Sequence, residues 1–251
     1  MRTITVIGIG MGSPEHLTLE AIAAIRSADA FLMIEKGTAA DELVAIRETI
    51  LDRVLDGRMP AIVRIANPKR DAADPDYRAG VDRWHGARVA LYSEAIAGLP
   101  DDAHGAFLVW GDPAFYDSTI RILDQAATGR ATFALKVIPG ISAPQALAAA
   151  HGIPLNRIGE PIHVTTGRRL AAGPPHDLDS TVVMLDDGSA LEALDPDGIA
   201  IWWGAYLGTP DEVLVAGPLG EVKAEILRLR REKRSAKGWI MDTYLLRRIA
   251  G

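Results

Sequence analysis

Short β-branched segments alternate with longer segments of helical periodicity through the first half of the chain, and no other feature restricts the fold as much. Strands are predicted at 3–9, 30–34, 61–65 and 106–110, and helices near 19–27, 42–55 and 81–97. This β-α-β order predicts a mostly parallel sheet with helices on both faces. Ligands then bind beyond the carboxyl ends of the strands, so the loops that follow strands are the places to search for a site.

The second half begins with the same alternation but then places its strands closer together. A strand at 133–137 and a helix at 143–150 precede strands at 162–166, 181–185, 199–203 and 213–216, a helix at 221–231 and a last strand at 239–245. This pattern predicts a mixed sheet in a second α/β domain. The change of pattern falls near 111–118, which predicts an N-terminal domain of residues 1–116 and a C-terminal domain of residues 117–251.

Charge and composition disfavour several classes of protein. The 251 residues include 27 basic and 33 acidic side chains, a formal net charge of −6, so the positive field that favours nucleic-acid binding is missing. The absence of cysteine excludes disulfides, thiolate nucleophiles and Cys-ligated metals. No apolar run reaches the roughly 18 residues of a membrane span, and the run at 4–9 is too short for a signal peptide. We therefore expect a cytoplasmic protein with no nucleic-acid partner, no membrane segment and no metal.

The segment 67–80, with the sequence NPKRDAADPDYRAG, lacks apolar periodicity and is rich in turn-forming residues. It is predicted to form a long loop between a strand and a helix. Such a loop is either a solvated excursion or a flap over a ligand site.

A glycine-rich turn follows the first predicted strand. Gly8, Gly10 and Gly12 lie close together, but the dinucleotide fingerprint G-x-G-x-x-G is not completed, because Ser13 stands three positions after Gly10. A nicotinamide oxidoreductase also needs an acidic residue at the end of the second strand, and the nearby Asp29 precedes that strand instead. The glycines still predict a backbone that some ligand approaches closely.

Two further turns follow predicted strands. In the Gly-Asp-Pro turn at 111–113, Asp112 can bond backbone amides or a ligand, or can simply close an Asx turn. The Pro-Gly turn at 139–140 leads to a helix whose expected N-cap is Ser142. Amides at that helix start could hold a carboxylate or carbonyl oxygen of a ligand, although a cap is all that the residues demand.

Taken in order, these turns resemble the tetrapyrrole (corrin/porphyrin) methylase family. The resemblance rests on G-x-G-x-G-x-P-E-x-L-T at 8–18, G-D-P-x-x-Y at 111–116, P-G-I-S at 139–142 and G-I-P-L at 152–155, followed by Met184 in a predicted strand. It covers essentially the whole chain. Further runs resemble members of this family that act in aerobic cobalamin synthesis, and they lie at 35–37, 82–85, 107–113, 156–161, 165–169, 203–210 and 238–244.

The resemblance implies two α/β domains of the tetrapyrrole methylase type, with the active-site cleft between them, in a homodimer. It also implies S-adenosylmethionine as methyl donor and precorrin-5 as substrate, methylated at C1 with loss of its acetyl group as acetate. Three alternatives stay open: methylation of another precorrin carbon, a non-tetrapyrrole acceptor, or a non-catalytic tetrapyrrole carrier.

Binding roles follow from the same resemblance. For the methyl donor, Trp110, Gly111 and Asp112 are implied to meet the methionine or ribose, Ser142 and Ala143 the carboxylate, and Met184, Tyr206 and Leu207 the adenine. For the tetrapyrrole, the implied first-loop residues are Gly10, Met11, Gly12 and Ser13. Because the implied substrate carries acetate and propionate groups, Lys36 and Arg168 are further candidates.

The chain departs from the family pattern at three positions. Met11 and Ser13 stand where most members have Pro and Asp, and Ser118 stands where uroporphyrinogen methylases carry Arg. These differences disfavour the uroporphyrinogen-III reaction.

Loss of an acetyl group needs a general base and an oxyanion donor. Candidates beside the carboxyl ends of predicted strands are Glu35, His16 and Tyr116. Each has a structural alternative. Glu35 could pair with Lys36 or Arg26, His16 could pack in a first helical turn, and Tyr116 could be a hinge aromatic.

Overall fold

The computed structural model describes residues 1–35, 41–68, 77–129, 132–173 and 180–249. The chain divides into two compact units, Met1–Ile141 and Ser142–Gly251. Each unit is built around a five-stranded sheet.

The first unit contains a parallel sheet, as predicted. Its strands are β1 (Arg2–Gly8), β2 (Ala30–Glu35), β3 (Ala61–Ala66), β4 (His104–Val109) and β5 (Phe133–Ile138), in the order β3-β2-β4-β1-β5. Its α-helices are α1 (Leu19–Ser27), α2 (Asp41–Leu55), α3 (Tyr77–Ala97) and α4 (Thr119–Ala127). A short 3₁₀ turn, Pro14–His16, precedes α1, and the Thr18 hydroxyl caps that helix by accepting the Ala21 amide at 3.0 Å.

Helices cover both faces of this sheet because side chains alternate along each strand. One face buries Phe31 and Leu108 against α1 and α2. The other face buries Leu32 and Phe107 against α3 and α4. The helices that follow β2 and β4 therefore lie on opposite faces of the sheet.

The second unit contains the predicted mixed sheet. Its strands are β6 (His163–Thr166), β7 (Thr181–Met184), β8 (Ile199–Ala205), β9 (Val213–Pro218) and β10 (Asp242–Arg248), in the order β6-β7-β10-β8-β9. Only the β6–β7 pair is parallel among these described strands. Its helices are α5 (Ala143–His151), α6 (Gly167–Ala171), α7 (Ser189–Ala193) and α8 (Leu219–Lys237).

The predicted domain boundary after Tyr116 differs from the observed division. Residues 117–141 belong to the first unit, because β5 pairs in parallel with β1 and completes the first sheet. The change of sequence pattern marks where the Gly-Asp-Pro turn interrupts the alternation, and it lies inside the first unit.

The loop prediction for 67–80 was wrong at its end. Helix α3 already begins at Tyr77, and residues 69–76 lie outside the described residues. Gly80 lies inside this helix, where a glycine costs only about 1 kcal/mol, which the rest of a 21-residue helix outweighs. Within the described ranges, no helix is both long and apolar enough to cross a membrane.

A buried ionic network joins α8 to the sheet of the second unit. The guanidinium of Arg230, only 5% exposed, lies with Nε 3.1 Å from Asp242 and Nη1 3.6 Å from Asp186. Tyr244 donates its hydroxyl to Asp186 at 2.9 Å, and Trp203 donates its indole N–H to Asp242 at 2.7 Å. Burial raises the pKa of the Asp242 carboxyl to about 6, while Arg230 opposes that shift.

We expect Arg230→Met to lower the free energy of unfolding by about 3–5 kcal/mol, because two buried carboxylates would lose their counter-ion. The matched control is Arg228→Met, on the same helix, where an exposed pair with Glu232 contributes at most ~0.5 kcal/mol. Urea unfolding at neutral pH measures both values. Equal losses in the two variants would show that the network does not stabilise the unit.

Candidate functional site

Three glycines bring the carboxyl ends of β1, β4 and β5 into backbone contact. A Cβ on Gly8 would lie 2.6 Å from the Gly140 nitrogen and 2.9 Å from the Gly111 oxygen. A Cβ on Gly140 would lie 2.2 Å from the same oxygen. No side chain fits at either position. The three turns therefore pack directly against one another, and we call this contact the glycine junction (Gly8, Gly111 and Gly140).

Asp112 connects two of these turns. Its Oδ1 accepts the Ala114 amide at 2.8 Å, which closes the expected Asx turn. Its Oδ2 accepts the Gly140 amide at 2.9 Å, from the turn after β5. The carboxylate therefore holds the Gly-Asp-Pro turn against the Pro-Gly turn, a structural role that sequence reasoning did not specify.

The first glycine loop is attached to the same junction. Gly10 pairs with Gly111 through amide-to-carbonyl hydrogen bonds in both directions, at 2.8 and 3.2 Å. Gly10 has φ of +72°, and a Cβ there would lie 2.3 Å from the His16 Cβ. The Met11 amide donates to His16 Nδ1 at 3.4 Å, and the Met11 side chain is buried. These contacts favour the packed, positioning role for His16.

In the second unit, the carboxyl ends of β6, β7 and β8 lie at one edge of the sheet. The register places Thr166, Met184, Thr243 and Gly204 in one row across it. At this edge Met184 ends β7, Arg168 follows β6, and Tyr206 and Leu207 follow β8. Leu185, which the sequence reasoning missed, is 66% exposed there and presents an apolar side chain.

Tyr206 and Leu207 are buried within this unit. The Tyr206 hydroxyl donates to the Trp239 carbonyl at 2.7 Å, and its ring packs edge-on against Trp239. Leu207 fills the space beside Gly204, where a Cβ would lie 2.7 Å from it. The Tyr206 main chain is engaged as well, because its amide donates to the Met241 carbonyl at 2.9 Å and its carbonyl accepts the Thr209 amide at 3.0 Å.

Ser142 begins α5 as predicted, and Gln145 occupies its polar groups. The Ser142 amide and hydroxyl both donate to Gln145 Oε1, at 2.9 and 2.8 Å. Ser142 and Ala143 are buried.

Strained backbone concentrates at these strand ends. Four non-glycine residues have positive φ in the described part of the chain, and three of them, Tyr116, Leu185 and Tyr206, directly follow strands or their turns. Such conformations are costly and gather at functional sites. The strain therefore marks the same two sheet edges as the sequence motifs do.

A cavity of about 360 Å³ lies in the first unit between the carboxyl halves of β2 and β4. These strands pair only through Ala30–Gly105 and Phe31–Ala106 and then separate. Residues 31–34 and 107–110 form its walls, and Asn67, Trp84 and the segment 116–119 also line it.

Two arginines reach this cavity from opposite faces of the sheet. Arg47, on α2, donates from Nε to the Leu108 carbonyl at 3.4 Å. Burial lowers the pKa of the Arg47 guanidinium, and Asp117 opposes that shift. Arg88, on α3, is 7% exposed, and its Nη1 donates to the Ser118 hydroxyl at 2.8 Å.

Sequence reasoning missed both arginines, although a signal existed for Arg88. Tyr92 and Ile96 follow it at four-residue steps and are fully buried, so helical periodicity places Arg88 on the apolar face of α3. Arginine on such a face is rarely buried without a partner.

Among the predicted catalytic residues, Tyr116 lines the cavity, and burial raises the pKa of its phenol. Glu35 is the last residue of β2, at the same edge of the sheet. Lys36 lies outside the described residues. The described residues contain no group of three or more His, Cys, Asp or Glu placed to hold a metal ion.

Comparisons with known proteins bear on the family and the fold of the chain. Residues 3–223 match the family model of tetrapyrrole (corrin/porphyrin) methylases. The chain is 44% identical over 250 residues to a precorrin-6A synthase [deacetylating] from a Sinorhizobium species, covering 99% of this chain and 96% of that protein. It also resembles the crystal structure of a cobalamin synthesis related protein (CobF) from Corynebacterium diphtheriae, with a TM-score of 0.85, 43% identity and full coverage of both chains.

A more distant structure supports the fold alone. It is the uroporphyrin-III C-methyltransferase of Thermus thermophilus, solved with S-adenyl homocysteine. The two chains are 19% identical with a TM-score of 0.58, and the match covers 98% of this chain and 92% of that one.

We expect Gly140→Ala to lower the free energy of unfolding by about 1–3 kcal/mol, because its Cβ would force the three turns of the glycine junction apart. Gly86→Ala is the matched control, since nothing lies within 4 Å of a Cβ there. That exposed helical position should be unchanged or gain up to ~1 kcal/mol. Urea unfolding measures the free energy of unfolding of both variants. An unchanged value for Gly140→Ala would mean that the three turns can move apart without loss of stability.

Proposed function

The chain belongs to the tetrapyrrole (corrin/porphyrin) methylase family, and we propose that it methylates C1 of precorrin-5 from S-adenosylmethionine while the acetyl group leaves as acetate. The product is precorrin-6A, in cobalamin biosynthesis. One observation carries this proposal: the 44% identity to precorrin-6A synthase [deacetylating] extends over 99% of the chain.

The proposed reaction balances with one water. Water adds to the acetyl carbonyl, the carbon–carbon bond to the ring breaks, and acetate leaves. The electron pair left at C1 accepts the methyl group of the sulfonium, so S-adenosylhomocysteine and two protons are also released. Placing C1 in line behind the methyl group and excluding bulk water from it supply much of the rate in such transfers.

The methyl donor would be held by the strand-end turns. We assign its methionine or ribose to Trp110, Gly111 and Asp112, and its carboxylate to Ser142 and Ala143. The adenine environment is assigned to Met184, Tyr206 and Leu207, and the exposed Leu185 adds apolar surface beside them. The fit rests on the positive φ of Leu185 and Tyr206, a strained backbone of the kind that gathers at functional sites.

The tetrapyrrole would meet the first glycine loop, Gly10 to Ser13, with Lys36 and Arg168 pairing its carboxylates. Arg168 is exposed in α6, where it can reach a bulky ligand.

For the acid–base chemistry we assign Glu35 as general base, because it ends β2 at the carboxyl edge of the sheet. Tyr116 fits the oxyanion donor, because it lines the cavity at this edge and a tyrosine phenol is protonated at neutral pH. His16 remains a third candidate, although its contacts with Gly10 and Met11 favour positioning.

We also propose a homodimer, on the family resemblance. Light scattering of the purified protein tests this, and a mass near that of one chain would contradict it.

The function is tested by incubating the purified protein with S-adenosylmethionine and precorrin-5, and measuring S-adenosylhomocysteine, acetate and product mass together. We expect equal amounts of S-adenosylhomocysteine and acetate, because each turnover moves one methyl group and expels one acetyl group. Omitting S-adenosylmethionine is the control.

Other outcomes identify other functions. S-adenosylhomocysteine without acetate would indicate methylation of another precorrin carbon. This alternative is kept because the chain is also 28% identical over 187 residues to precorrin-2 C(20)-methyltransferase from a Sinorhizobium species. If neither S-adenosylhomocysteine nor acetate forms, the remaining alternative is a non-catalytic tetrapyrrole carrier.

We expect Glu35→Gln to lower kcat by about 10²–10⁴, the range typical of losing a general base. Glu232→Gln is the control, because Glu232 is exposed on α8 and pairs with Arg228. An unchanged kcat in Glu35→Gln would remove Glu35 as the base.

A further inference from the structure

The cavity between β2 and β4 lies where ligands bind in open α/β sheets. Helices α2 and α4, which follow these two strands, cover opposite faces, so the crevice between the strands is a topological switch point. The strands separate after Phe31 and Ala106, and the crevice lies at their carboxyl halves. Its volume of about 360 Å³ suits a small group, not a whole tetrapyrrole.

Arg88 gives this crevice a buried positive charge. The guanidinium is charged at any physiological pH, and the side chain makes no ion pair with the described residues. Its neutral partners are the hydroxyls of Ser118 and Tyr92. It also stacks over the Trp84 ring, 4.7 Å from the centroid. A buried charge whose hydrogen bonds go only to neutral groups is costly, and an anion would offset that cost.

Two residues that line the crevice each have a buried side-chain donor without a hydrogen-bond partner in the described ranges. These donors are Nε of Arg88 and Nε1 of Trp110. Unpartnered buried donors are uncommon, because each loses its hydrogen bonds to water. Donors without acceptors nearby indicate that the missing group is an acceptor.

The charge balance of the crevice also favours an anion. Its described charged residues are Arg47, Arg88 and Asp117, a net charge of +1. Asp117 is engaged in its own turn, because its Oδ1 accepts the Thr119 amide at 2.6 Å. One univalent anion would therefore balance the charge of the described lining residues.

We propose that the crevice between β2 and β4 binds a carboxylate group, with Arg88 as its counter-ion and the Trp110 indole N–H as a second donor. This inference deepens the proposed function and rests on it for the source of the carboxylate, which is either an acetate or propionate side chain of the substrate or the acetate released in turnover. A planar guanidinium suits a planar carboxylate with two acceptor oxygens.

Binding of isotope-labelled acetate to the full-length protein, followed by NMR line broadening at constant ionic strength, tests the proposal without turnover. We expect saturable binding that propionate displaces and that chloride and phosphate do not. Arg88→Gln should weaken binding at least about tenfold, because it removes the charge from a charge-assisted hydrogen bond. Arg228→Gln, on the exposed face of α8, should bind as the unaltered protein does.

Trp110→Phe provides a second variant that keeps every charge and the aromatic ring. It should weaken acetate binding by about fivefold to tenfold through loss of the indole N–H alone. Non-saturable binding to the unaltered protein would overturn the proposal. So would equal affinity in the unaltered protein and both variants, or displacement by phosphate as effective as by propionate.

Turnover with precorrin-5 distinguishes the two sources. If a substrate side chain occupies the crevice, Arg88→Gln should raise KM more than it lowers kcat, and acetate should compete with precorrin-5. If released acetate occupies it, KM should be unchanged and inhibition by acetate should persist at high precorrin-5. Turnover that yields no acetate would overturn the proposed function, while the direct binding measurement would still decide the carboxylate site.

Discussion

The backbone contact among Gly8, Gly111 and Gly140 is the constraint on which the first unit depends. Because Gly8 and Gly140 carry no Cβ, three parallel strands can end within van der Waals distance of one another. Asp112 then fixes two of the turns by accepting one amide from each. The edge where methyl donor and substrate are proposed to bind is therefore built from main chain that side-chain motion cannot displace.

The same sheet has a gap between β2 and β4, which the glycine junction does not connect. β1 pairs with β4 over six residues, whereas β2 pairs with β4 over only two. Unpaired strand ends normally expose backbone groups that need partners. Here Arg47 supplies one by donating to Leu108. The opening thus creates a crevice with polar walls inside an otherwise apolar layer.

The second unit reaches a comparable rigidity by a different route. The turn after β7 is held by the buried network of Arg230, Asp186 and Asp242. Asp186 also accepts the amides of Gly188 and Leu191, at 3.0 and 3.2 Å, and so fixes the start of α7 after β7. The exposed Leu185 sits in the turn that this carboxylate anchors. Charge buried in the core therefore positions an apolar side chain at the edge.

The sequence by itself determined the two α/β layers, the order of the strand-end turns and the family, because hydrophobic period and turn residues are local properties. It placed Gly10, Asp112, Ser142 and Met184 correctly at strand or helix ends. It did not determine where the first unit ends, since only the pairing of β5 with β1 decides that. Nor did it determine that Asp112 bonds Gly140, or that Arg88 and Trp110 line one crevice, because residues distant in sequence are brought together only when the sheet forms.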